Sequence, residues 1–72
     1  MNKMNFKLSD AISKLETMEQ NEVLPFASFD GYPETVESFK MNLEEIMDLD
    51  GDISIIDIEG DEAIEYLTKI LN

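Results

Sequence analysis

Histidine, cysteine, tryptophan and arginine are all missing from this 72-residue chain. Without histidine or cysteine there is no Ser/His/Asp or Cys/His set for nucleophilic catalysis, and neither of the usual zinc ligands. No disulfide can form, so cysteine does not encode the compartment; a reducing cytoplasm fits best. Glycine and proline are scarce, at three and two residues, and no glycine-rich loop is present to cradle a phosphate. No apolar run approaches the roughly 18 residues a membrane span needs, and the N-terminal residues hold no signal-peptide core. A soluble, cytoplasmic, non-enzymatic protein is expected, with no cofactor and no metal.

What is present is charge of one sign. Seventeen carboxylates face five lysines, a net charge of −12 at pH 7. The imbalance is uneven: residues 1–33 hold five acids and three lysines, whereas residues 34–72 hold twelve acids and two lysines. Such a field repels nucleic acid and anionic membranes and steers the molecule toward basic protein surfaces. It also opposes the compact state by self-repulsion, so added salt should stabilise the fold. Hydrophobic content of 43% nevertheless suits a globular chain rather than a disordered acidic one. At this length a single domain over residues 1–72 is expected, with one modest core.

Short elements alternate with turn chemistry. Met4 to Leu8 alternates apolar and polar residues like a half-buried strand. Ser9 offers an N-cap, with Asp10 in the first turn, and Ala11, Ile12, Leu15 and Met18 follow at helical spacing to about residue 20. Val23 to Phe29 is a second extended run, in which Pro25 requires an edge position or a bulge. Asp30-Gly31 is a hairpin signal, and Tyr32 to Glu37 would return as its partner, with Val36 inward. A rival start for the next helix at Pro33 and Glu34 is open. That earlier start would put Val36, Phe39, Leu43, Ile46 and Met47 on one helix face, whereas the hairpin reading starts the helix near Ser38. Gly51 is the stop in both. Four isoleucines between Asp52 and Ile58 predict a strand. Gly60-Asp61 opens a last helix with a stripe of Ala63, Ile64, Leu67, Ile70 and Leu71. The expected class is α+β: a small antiparallel sheet with two to three helices packed on one face, in the order β-α-β-β-α-β-α.

That order, with Phe6-Lys7-Leu8 as first strand, Asp30-Gly31 at the central hairpin and Glu37-Ser38-Phe39 opening the second helix, resembles the histidine-containing phosphocarrier (HPr) family. Met47-Asp48-Leu49 and Ile53 to Ile58 look like its second helix end and last strand. The resemblance implies a regulatory serine at Ser38. The junction that should carry the family's phosphorylated histidine reads Lys7-Leu8-Ser9-Asp10, so phosphocarrier chemistry is excluded. Asp48, Asp50, Asp52 and Glu59 resemble positions one, three, five and twelve of an EF-hand calcium loop, but Ile53 stands where that loop needs glycine. Gly60 to Leu67, with Thr35-Val36-Glu37 and Leu43-Glu44-Glu45, is similar to acyl carrier helices, without the serine that would hold phosphopantetheine.

Binding remains. Glu34, Glu37, Glu44, Glu45 and Asp48, on successive turns of the second helix, form a candidate row of phosphate-like charges, which Asp57, Glu59, Asp61, Glu62 and Glu65 extend. Phe29 and Tyr32 are candidate aromatic anchors beside it. The composition resembles small acidic inhibitors of phages and mobile elements, of the DNA-mimic, anti-restriction or anti-CRISPR type. That resemblance implies a partner with a basic, nucleic-acid-binding surface, and no direct nucleic acid or membrane contact. The sheet edges leave self-association open although like charge opposes it, so the chain is expected to be a monomer or weak homodimer.

Overall fold

The computed structural model describes residues 6–27 and 33–72. The chain runs through helix α1 (Leu8–Glu16), strands β1 (Val23–Ala27) and β2 (Pro33–Thr35), helix α2 (Val36–Asp50), one 3₁₀ turn (Ile55–Asp57) and helix α3 (Asp61–Leu71). The α+β class and the antiparallel sheet are as the pattern implies. Among the described residues, the two outer strands of the expected order are represented by a single antiparallel bridge between Lys7 and Ser54.

The reason differs at the two ends of that bridge. Leu8 already opens α1, one residue before the expected cap at Ser9, so the partner strand runs out after Lys7. Among the described residues two backbone hydrogen bonds join the segments: Leu8 N donates to Ile53 O at 2.9 Å, and Ile55 N to Phe6 O at 3.0 Å. Met4 and Asn5 lie outside the described residues. On the other side, a strand through 52–58 would alternate Ile53, Ile55 and Asp57 onto one face and so bury a carboxylate. The 3₁₀ turn avoids this: residues three apart share a face, so Ile55 and Ile58 are both buried while Ile56 and Asp57 face solvent. Ser54 caps the turn by accepting from Ile56 N.

Helix α1 follows the expected periodicity, burying Leu8, Ala11, Ile12 and Leu15. It stops at Glu16 rather than near residue 20. Thr17 N and Met18 N donate to Lys14 O and Leu15 O, tightening the last turn. The Thr17 hydroxyl also donates to Lys14 O, and Gln20 Nε2 to Leu15 O and Met18 O, so Lys14 O and Leu15 O are satisfied without further helix.

Strands β1 and β2 pair as Val23 with Thr35 and Ala27 with Pro33, with an irregularity between. That bulge falls around Pro25, which has no N–H to give, as the sequence requires. The returning strand is shorter than Tyr32–Glu37, because α2 begins at Val36. Thr35 caps it by accepting from Ser38 N at 3.1 Å. Val36 N and Glu37 N donate to Glu22 O and Gln20 O, so the first turn is satisfied by the loop after α1. The hairpin and the early helix start are each partly realised: a strand runs through Pro33 and Glu34, and a helix begins before Ser38. Asp30-Gly31 lies outside the described residues.

One apolar cluster joins the three helices, β1 and the 3₁₀ turn. Leu8 and Leu15 of α1, Val36 and Leu43 of α2, Ile55 of the 3₁₀ turn and Leu67 of α3 are almost fully enclosed. Phe26 of β1 meets Phe39 edge-on at 5.5 Å between ring centres and Tyr66 at 5.4 Å, which fixes the hairpin against α2 and α3.

Candidate partner-binding surface

The acids after residue 34 do not form one row. Glu34 is not on α2; it sits on β2, half-buried, and its carboxylate accepts from the Ser38 hydroxyl at 3.2 Å and from Asn42 Nδ2. It is a local clamp on the start of α2, and the Ser38 hydroxyl is engaged with it. The true helical stripe is Glu37, Met41, Glu44, Glu45 and Asp48, at spacings of four, seven, eight and eleven residues along α2. Glu44 is half-buried and the other three acids are exposed. Met41, 58% exposed, stands in the middle of them. With Asn42, Met41, Glu44, Glu45 and Asp48 line a shallow depression of about 390 Å³. Four carboxylates over about 16 Å of helix are somewhat sparser than the phosphates of one DNA strand, about 3.4 Å apart along the axis.

Asp57 and Glu59 lie elsewhere, in a second cleft of about 390 Å³ with Asp50, Ile46, Ile53 and Ile58. Asp61 and Glu62 occupy the first turn of α3, where the helix dipole favours negative charge. Glu62 and Glu65 border a third depression, walled by Pro25, Phe26 and Tyr66, which Lys69 partly neutralises. Phe29 and Tyr32 lie outside the described residues. The aromatic wall that the structure does describe uses Tyr66, which the sequence pattern alone does not single out. Its signal is the spacing of Ala63, Tyr66 and Ile70, which puts the ring on the edge of the α3 stripe. Burial, with a smaller contribution from the Glu22 charge, pushes the Tyr66 phenol above its ordinary value.

The chain matches no family model, no curated protein and no solved structure. Function therefore rests on the surface itself.

The EF-hand-like segment folds differently from a calcium loop. Asp48 and Asp50 are still in α2, and no described residue other than Gly51 and Gly60 has positive φ. Asp52 is already committed. It accepts from Ser9 N at 2.8 Å and from the Ser9 hydroxyl at 2.7 Å, forty-three residues away in sequence. Those hydrogen bonds, the side-chain one first, hold its carboxyl below the usual range, with the Lys7 charge adding to them. Ser9 is thus not the cap of α1 but the donor to a cap supplied from the 52 loop; Asp10 completes it by accepting from Lys7 N at 2.9 Å. Among the described residues no three acids converge as a metal cage. No helix among them is long and apolar enough to cross a membrane.

Proposed function

We propose that this chain is a non-enzymatic protein-binding module that lays the exposed face of α2 on a basic, nucleic-acid-binding surface of a target protein. It would act there as an inhibitor of the DNA-mimic, anti-restriction or anti-CRISPR type. The observation that carries this reading is the α2 stripe, where Glu37, Glu44, Glu45 and Asp48 surround an exposed methionine on a helix backed by the core. Charge gives such a surface its steering and its choice of partner, while the methionine adds an adaptable apolar contact. A cytoplasmic location suits this role.

The test is capture of a nucleic-acid-binding protein by the tagged chain from host lysate. Duplex DNA should compete with it, rising salt should release it, and Glu44→Lys/Glu45→Lys/Asp48→Lys should abolish it. A second reading is an HPr-like regulatory docking module without phosphocarrier activity. The approach of the two segments expected as outer strands, at the Lys7–Ser54 bridge, favours it. A docking module of that kind would hold a metabolic or signalling protein through a salt-resistant contact, indifferent to the α2 reversals.

A further inference from the structure

α3 obeys dipole electrostatics at both ends, with Asp61 and Glu62 in its first turn and Lys69 in its last, while α1 has Asp10 in its first turn and Lys14 offset by Glu16 in its last. α2 breaks the rule. Its last turn has no basic residue, and Asp48 and Asp50 stand there instead, against the partial negative charge of the terminal carbonyls. Asp57 and Glu59 approach the same end and form, with Asp50, the rim of the cleft floored by Ile46, Ile53 and Ile58. Negative charge gathered at a negative helix end works against the fold, and local rules are commonly broken at functional sites.

We propose that this cleft receives a long cationic side chain, arginine above all, from the protein partner. This rests on the binding reading above and adds a second contact to the α2 face. The apolar floor suits the methylene stem, and the three carboxylates with the α2 C-terminus suit the charged head. A point-like divalent ion is disfavoured, because the acids do not converge into a cage. A guanidinium, with its donors spread over a plane, can reach acids that are apart. Leu49, 79% exposed and one turn from Ile46, and Ile56, 59% exposed beside Asp57, give the partner apolar surface next to the cleft.

The experiment is an NMR titration of the isotope-labelled full chain with a short amphipathic arginine–leucine peptide, alongside the same peptide with citrulline in place of arginine. Shift changes should centre on Ile46, Asp50, Ile53 and Ile58. Asp57→Asn/Glu59→Gln, both at exposed positions, should weaken the arginine peptide tenfold or more, and citrulline should weaken it as much. Glu16→Gln/Glu19→Gln, an equal loss of charge at exposed positions that line neither depression, should cost at most threefold, while Glu44→Gln/Glu45→Gln reads the α2 face. If the arginine peptide binds but the α2 pair carries the loss and the cleft pair does not, the cleft inference is wrong and the α2 reading stands. If the wild-type chain binds neither peptide at low salt, the cleft inference is wrong, and the α2 reading is decided by the capture experiment above.

Discussion

Asp50 and Asp52 are two residues apart and are put to opposite uses. Asp52 lies at the positive end of α1, takes two hydrogen bonds from Ser9 and ties the loop after α2 to the chain start. Asp50 lies at the negative end of α2, on the rim of the cleft with Asp57 and Glu59. The first carboxylate stabilises the fold where it stands. The second opposes the fold and is explained by what it can bind. Net charge of −12 therefore does not describe one uniform acidic coat; each acid has to be judged by the backbone dipole and the donors beside it.

The strongest way to break the comparison is to remove the core residue that supports the segment after both acids. Ile55 is fully buried in the 3₁₀ turn that follows them in the chain. Ile55→Ala should cost about 2–5 kcal/mol, a large part of the roughly 4–11 kcal/mol available to a chain of this length. Chemical denaturation should show a variant barely folded at 25 °C, with capture of the partner lost as well.

A smaller effect isolates the Asp52 side. Asp52→Asn should lower the unfolding midpoint at neutral pH, because the charged acceptor for Ser9 is gone. The folded-state carboxyl titrates below its unfolded value, so its contribution is present above about pH 4 and fades as pH falls through the lower, folded value. The gap between wild type and variant should thus close in strong acid, as followed by circular dichroism. A gap that persists there would mean that Asp52 acts through packing instead.

The smallest effect checks the aromatic wall. Tyr66 stays neutral above its ordinary range in the folded chain, so the stability it adds is complete below about pH 10 and is lost as pH rises through the higher, folded value. Glu22→Gln should bring the Tyr66 titration slightly back toward normal in a spectrophotometric titration, since burial is the larger cause.

How much of this is legible in the sequence follows from range along the chain. The apolar faces of all three helices are local patterns, and they are visible in the spacing of residues such as Leu43 and Leu67. The bulge at Pro25 is equally local, because the missing N–H is a property of the residue itself. The isoleucine-rich 52–58 segment misleads: strand propensity is overridden once Asp57 must stay out of the core and Leu8 has already turned into helix. The Ser9–Asp52 clamp spans forty-three residues and has no signature along the chain. The α2 stripe is partly visible, with Glu34 wrongly included because the start of α2 is ambiguous in the sequence. The cleft needs Ile46, Ile53 and Ile58 to be folded together before Asp50 can be seen to matter.

The most direct test is a pair of charge reversals, Asp50→Lys and Asp52→Lys, compared by equilibrium unfolding at low salt. Each relieves the net charge equally, so the difference between them reads only the local setting. Asp50→Lys should raise stability by about 0.3–1 kcal/mol by complementing the α2 dipole, while partner binding falls. Asp52→Lys should lower stability despite the same relief of net charge. If both reversals stabilise the chain alike, its acids form an undifferentiated coat, and the opposite roles assigned to Asp50 and Asp52 are wrong.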